Sequence, residues 1–254
     1  MSKIKKSRLD QLLVERGLAE TRTRAQALVM AGLVTSETRR LDKPGLQVAE
    51  DISLNIKGPD HPWVSRGGVK LAHGLEHFGI DAKGRVCLDI GASTGGFTDV
   101  LLNGGATKVY AVDVGKGQLA WKVSQNERVV VLDKTNARHL SDKEVPEPID
   151  LIVCDASFIG LETLLPAPMA VANPNSQGGA HLIALVKPQF EVGKGNVGKG
   201  GIVRDPALHQ EVCDRIKNWI NDQSPWRVLG ITESPLTGAD GNKEFLICAV
   251  FEEN

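Results

Sequence analysis

Apolar residues recur at helical spacing in two short runs near the start of the chain. In "RLDQLLVERGLAETRTRAQALVMAGLV", Leu9, Leu12 and Leu13 share one face, and Gly17 follows as the residue just past a helix end. Thr21 then predicts a helix start, with Ala25, Leu28 and Val29 on the buried side and Gly32 closing it. Further on, Ile52, Leu54 and Ile56 alternate with polar residues, as in a half-buried strand. Residues 1–57 therefore read as a small α+β module. "IKGPDHPW" (56–63) holds a glycine, two prolines and polar residues, so 58–63 is the expected linker.

From residue 64 the pattern changes. A helical run (Val69, Leu71, Leu75, Phe78) leads into the apolar strand "RVCLDIG". "GFTDVLLNGG" reads as a helix with a glycine stop, and "KVYAVDVG", "ERVVVLDKTNA", "DLIVCDAS" and "HLIALVKPQF" as strands. Strands alternating with helices predict an α/β domain over 64–254, a parallel sheet covered on both faces. "DPALHQEVCDRIKNWI" is a helix capped by Asp205 with Pro206 in its first turn. "WRVLGI" and "EFLICAVF" close the chain as an antiparallel pair.

Composition narrows the class. The 254 residues are 41% hydrophobic and 24% charged, ordinary for a globular protein. No apolar run approaches the length of a membrane span, and the basic start "MSKIKKSRLD" has no apolar stretch behind it. Cys87, Cys154, Cys213 and Cys248 form no C-x-x-C pair and sit among apolar residues, so buried thiols in a reducing cytoplasm are expected and a zinc site is not. Net charge is −1, but residues 1–43 carry ten basic and five acidic side chains. That leaves +5 in the head and −6 in the body, which suits an anionic partner for the head or a solvated charged surface.

"CLDIGASTGGFTDVLL" (87–102) joins a strand, a glycine-rich turn and a helix start. Gly91, Ser93 and Gly96 fill the places of a degraded dinucleotide fingerprint, and Asp113, ending the next strand, stands where a ribose-binding carboxylate belongs. The turn alone fits both NAD and S-adenosylmethionine. Asp89, expected at the mouth of the turn, would repel a pyrophosphate and accept an ammonium, and the paired glycines before Phe97 suit a methyltransferase turn. "GKGNVGKG" (193–200) imitates a phosphate loop, but Gly200 stands where Ser or Thr should bind magnesium, and no helix follows at once. It reads as a flexible basic loop near the active face, either closing over substrate or simply solvated.

Ligands of open α/β sheets bind beyond the carboxyl ends of the strands. Asp155 and Lys187 end two strands there, Glu244 starts "EFLICAVF" and reaches the same edge if that strand runs antiparallel to the rest, and Lys70 lies on a helix packed nearby. Singly, each has an ordinary role as a solvated tip or a turn cap. Jointly, beside a cofactor turn, they suggest a catalytic set.

Several motifs in order resemble the TlyA (haemolysin A-like) branch of the FtsJ-type ribosomal RNA 2′-O-methyltransferases. They are "VSRGGVKL", "LDIGASTGGFTDVLL", "AVDVG", "CDASFI", "LVKPQFE" and "GNKEFL". The first helices and "KPGLQV" resemble an RNA-binding module first described in a small-subunit ribosomal protein. "VTSETRRLDKPG" departs from that module in lacking its Asn-Gly turn. The resemblance implies a Rossmann-like class I methyltransferase sheet behind a small RNA-binding domain. It implies a catalytic set of Lys70, Asp155, Lys187 and Glu244, S-adenosyl-L-methionine as cofactor, and ribosomal RNA or ribosomal subunits as partner, with cytidine ribose the implied target.

The expected cofactor residues are Asp89, Gly91, Ser93, Gly95, Gly96, Asp113 and Asn136. The expected RNA contacts are Arg8, Arg22, Arg24, Arg39, Arg40 and Arg66. Lys187 is the expected general base, with Lys70 its cationic neighbour and the two carboxylates orienting the lysines and the hydroxyl; no metal is required. "DASF" occupies the slot where an Asn-Pro-Pro-Tyr-like run would suit an exocyclic amine, which favours O- over N-methylation. The family's haemolysin label raises a membrane-active alternative, and a non-catalytic RNA- or ribosome-binding protein is another. Arg66-Gly67-Gly68 reads as a joint that delivers Lys70 to the sheet edge.

Overall fold

A computed structural model describes residues 5–19, 21–30, 32–37, 39–56, 61–238 and 241–252. The chain forms two units, Met1–Pro62 and Trp63–Asn254. Trp63, expected in the linker, belongs to the larger unit, while 57–60 of the neighbouring stretch lie outside the described residues.

In the small unit, β1 (Lys6–Arg8) leads into α1 (Leu9–Glu15), followed by α2 (Arg22–Met30), β2 (Val34–Ser36), β3 (Arg39–Arg40), β4 (Gln47–Ala49) and β5 (Asn55–Ile56). Thr21 caps α2 by accepting the Arg24 N–H, and Gly17 and Gly32 take left-handed conformations after the two helices. Leu9, Leu13, Ala25, Val29 and Val34 make a fully buried core. Only Asn55–Ile56 of the expected 52–56 alternation is a strand, pairing with β2. Short strands such as β1 and β4 carry too few residues for their alternation to register in sequence. Ser36 pairs with Arg39, so the missing Asn-Gly turn is replaced by one in which Glu37 holds φ +51°.

The larger unit contains α3 (Gly67–Phe78), β6 (Val86–Ile90), α4 (Gly96–Asn103), β7 (Lys108–Val112), α5 (Trp121–Ser124), β8 (Val129–Leu132), β9 (Leu151–Cys154), α6 (Leu161–Leu164), α7 (Pro166–Ala170), β10 (Ala180–Val186), α8 (Pro188–Glu191), α9 (Pro206–Asp222), β11 (Trp226–Glu233) and β12 (Phe245–Phe251). The seven strands run in the order β11-β12-β10-β9-β6-β7-β8. Pairings from β10 through β8 are parallel, whereas β12 is antiparallel to both β10 and β11.

Every residue of β9 and β10 is buried, as expected of central strands covered on both faces. Successive residues of β10 feed two cores. Leu182, Ala184 and Val186 join Val212, Ile216 and Ile220 of α9; Ile183 and Leu185 join Leu71 of α3 and Leu101 of α4. Gly74 lets α3 lie close to the sheet, since a methyl group there would already touch Ile183 and Leu246.

Gly67 and Gly68 are not a hinge. Both lie in the first turn of α3, and Gly68 is buried. A Cβ on Gly68 would come within 2.4 Å of the Trp63 ring, and one on Gly96 within 2.9 Å of the Gly68 nitrogen. These glycines serve close packing between α3, α4 and Trp63. Asp99 of α4 secures the entry to α3 by accepting the Val64 N–H at 2.9 Å.

Candidate active site

The carboxyl edge of the sheet opens into a cavity of about 630 Å³. Lys70, Asp155, Lys187 and Glu244 all line it, together with Gly91, Ser93, Gly96 and Arg66. The four charged residues form two ion pairs. Lys70 Nζ lies 2.5 Å from Glu244 Oε2, and Lys187 Nζ lies 2.6 Å from Asp155 Oδ1. The strand directions explain the meeting. Asp155 and Lys187 follow the ends of the parallel neighbours β9 and β10, and Glu244 precedes β12, whose first residue pairs with Val186. Lys187 also donates to Ser157 Oγ at 2.9 Å. Each lysine faces a carboxylate, so the charges are partitioned into pairs. The pairs are largely closed to solvent; the Lys187 side chain is 8% exposed and Glu244 3%.

The glycine turn forms one wall. Gly91 (φ +77°), Ser93 (φ +46°) and Gly95 (φ +91°) take left-handed conformations. What a side chain would strike at these glycines is the protein itself. Cβ at Gly91 would lie 3.0 Å from the Ala156 backbone and Cβ at Gly95 2.8 Å from Leu119. Asp113 follows β7 and accepts N–H groups from Ser93 at 2.8 Å and Gly115 at 2.7 Å, so it holds the turn in shape. Neither Asp113 nor Asn136 is among the residues lining the cavity. Asn136 caps a short turn over Ala137–His139 by accepting the Arg138 N–H.

Asp89 departs from the expected placement. It is fully buried within β6 rather than at the mouth of the turn. One oxygen accepts the Thr98 hydroxyl, and the other, Oδ1, has no partner. Burial pushes its carboxyl up to about 7, against the Thr98 hydrogen bond. This acid lies beneath the turn and is not among the residues lining the cavity; only as the carboxylate would it favour a positively charged ligand over a pyrophosphate.

Phe158 was not singled out in the sequence. It holds φ +66°, is 90% exposed, lines the cavity, and its ring lies 5.0 Å from that of Phe190. The only available signal was an aromatic residue directly after a strand-end Asp in "DASF". In the loop 193–200, Val197 lines the cavity, and Asn242 ties the loop's far end down through Val203 N and Gly201 O.

In the small unit the expected RNA-contacting arginines divide. Arg24, Arg39 and Arg40 are exposed. Arg8 and Arg22 converge on Asp10, a carboxylate with no exposed surface, at 3.0 and 2.9 Å, and Gln26 adds a third donor. These donors, Arg8 foremost, hold the Asp10 carboxyl well below the usual range. Arg66 belongs to the larger unit, at the cavity wall.

Residues 63–251 match the FtsJ-like methyltransferase model, and residues 7–51 match the S4 domain. The chain belongs to the FtsJ-like methyltransferase family. Among relatives, a Mycobacterium tuberculosis protein named 16S/23S rRNA (cytidine-2′-O)-methyltransferase TlyA is 45% identical, the match covering 96% of this chain and 89% of that protein. Hemolysin A of Brachyspira hyodysenteriae is 38% identical over 94% of this chain and 98% of its own. A solved structure from Streptococcus thermophilus, titled as a hemolysin, superposes with a TM-score of 0.75 at 39% identity, covering 99% of this chain and 90% of that one. The seven-stranded sheet is thus that of an FtsJ-like methyltransferase, and the small unit carries an S4 domain. Among the described residues no helix is long and apolar enough to cross a membrane.

Proposed function

We propose that the protein transfers a methyl group from S-adenosyl-L-methionine to the 2′-hydroxyl of a ribose in ribosomal RNA, at a cytidine. The observation that carries this reading is the single cavity in which the Lys70–Glu244 and Lys187–Asp155 pairs face the glycine turn. The cytidine target follows the name of the 45%-identical relative. The cofactor supplies an electrophilic methyl on a sulfonium. Gly91, Ser93 and Gly96 would hold it along the turn, with the Asp89 carboxyl buried beneath.

A ribose hydroxyl is a weak nucleophile because it keeps its proton. Alignment within the cavity supplies much of the rate. Lys187, which must give up its own proton before the step, would take the proton from O2′ as the methyl passes to that oxygen, and would end as ammonium beside Asp155. Asp155 and Ser157 fix the direction of its Nζ. Lys70, held by Glu244, presents a positive charge to the developing alkoxide. Phe158 offers a face for the target base, and the basic residues of the S4 unit, with Arg66, grip phosphates.

Labelled methyl transfer to ribosomal RNA, followed by nucleoside analysis, tests the reading. Label recovered as 2′-O-methylcytidine supports it. Label on a base, or none at saturating cofactor with intact subunits and with naked RNA, refutes it.

A further inference from the structure

Strands β9 and β10 hold the catalytic loops together at the sheet, where Cys154 pairs with Ala184. Beyond that point the segments 155–160 and 187–191 leave the sheet separately. They carry Asp155, Ser157 and Phe158 on one side and Lys187 and Phe190 on the other. Lys187 bridges them at Asp155 and Ser157, and Glu191 adds a second tie at their far ends. The Glu191 side chain is 4% exposed. Oε1 accepts the Leu161 N–H at 2.8 Å, at the start of α6. Oε2 accepts from Arg215 of α9 at 2.7 Å, and the same guanidinium reaches the Glu191 carbonyl at 3.2 Å. Gly160 leaves the space this needs, because a Cβ there would lie 3.2 Å from Oε2.

A buried carboxylate is a costly way to fill a corner, and burial pushes this one up while the Leu161 N–H and Arg215 pull it down. Glu191 ends one of the two loops that bear the reacting groups, bonds to the end of the other at Leu161, and is backed by Arg215 of α9. We propose that Glu191 is a positioning residue for methyl transfer. By tying Leu161 to α8 it sets the spacing of Asp155, Ser157 and Phe158 against Lys187 and Phe190. This rests on Lys187 being the base.

The test combines methyl-transfer kinetics with cofactor calorimetry on Glu191→Ala, Glu191→Gln and Gly160→Ala. Misplacement of reacting groups by about 1 Å can cost on the order of a hundredfold in rate. Glu191→Ala is therefore expected to lose about ten- to a hundredfold in kcat with a much smaller change in cofactor affinity, since the 155–160 segment meets the glycine turn at its sheet end, away from Glu191. Glu191→Gln keeps an oxygen for the Leu161 N–H but turns its NH2 toward the Arg215 donor, and is expected to lose less turnover than Glu191→Ala. Gly160→Ala, whose methyl group crowds Oε2, is expected to lose turnover in the same direction. The proposal is overturned if folded Glu191→Ala turns over normally, or loses cofactor affinity and turnover in parallel. It is equally overturned if Glu191→Ala does not fold and Gly160→Ala is fully active. Lys187→Ala separates the two ideas. Normal turnover there removes the base assignment, whereas an inactive Lys187→Ala beside a normal Glu191→Ala removes only the role of Glu191.

Discussion

Lys187 and Asp155 leave neighbouring parallel strands at one edge of the sheet and meet as an ion pair of 2.6 Å. The Lys70–Glu244 pair stands across the same cavity, on a helix and at the head of an antiparallel strand. Because that second pair is nearly closed to solvent, removing one partner strands a buried charge. Glu244→Ala is expected to lower stability by about 3–5 kcal/mol. The double variant Lys70→Ala/Glu244→Ala is expected to recover part of that loss. Urea denaturation of the wild type, both single variants and the double variant measures the coupling, and additive losses would show that the pair is not coupled.

Asp89 gives a pH signature. Its folded value, about 7, lies above the ordinary carboxylate value. The folded state therefore holds the proton more tightly, and the contribution of this group to stability falls as pH rises from about 4 to 7 and is flat above. A cationic ligand favours the carboxylate, so binding below pH 7 must expel a proton. Affinity for S-adenosylmethionine is expected to weaken as pH drops below 7, by at most about tenfold per unit, and Asp89→Asn is expected to abolish the slope. Calorimetry at pH 6 and 8 decides; equal wild-type affinities would remove Asp89 from cofactor recognition.

Phe158 sets stability against function. A side chain at φ +66° costs roughly 1–2 kcal/mol, which glycine avoids at some expense in chain entropy. Phe158→Gly is expected to melt no lower than the wild type. It is expected to lose tenfold or more in kcat/KM for RNA, because stacking a base on an aromatic ring is worth about 1–3 kcal/mol. Cofactor affinity is expected to hold. Unchanged RNA kinetics would leave the exposed ring without a role.

Most of the larger unit was legible because its strands are long, apolar and punctuated by glycine, and because β12 reverses direction where Glu244 begins it. What escaped was set by packing. The glycines of "SRGG" read as a joint, but Gly68 packs tightly against the Trp63 ring and against Gly96 of α4, contacts that the pattern of residues does not show. Asp89 was expected at the surface because its position before Gly91 says nothing of the Thr98 hydroxyl or of the layers that cover it. Arg8 and Arg22 read only as RNA contacts, because nothing local shows Asp10 turned inward to pair with them.

That Asp10 cluster carries its own test. A carboxyl held below its ordinary value contributes stability that is present above that value and is lost as pH falls through the folded value. Amide protection in α1 and α2, taken relative to the intrinsic exchange rate at each pH, is expected to fall in strongly acidic solution, and in Asp10→Asn to be lower already at neutral pH. Equal protection in the variant at pH 7 would show that the cluster contributes nothing to the fold.

The central claim is that Lys187 removes the ribose proton. Single-turnover methyl transfer to ribosomal RNA by Lys187→Ala, with cofactor and RNA affinities measured on the same preparation, tests it most directly. The expected result is loss of 2′-O-methylcytidine formation by at least about a hundredfold, the scale of a general base, with both affinities intact. Near-normal turnover in Lys187→Ala would contradict the account.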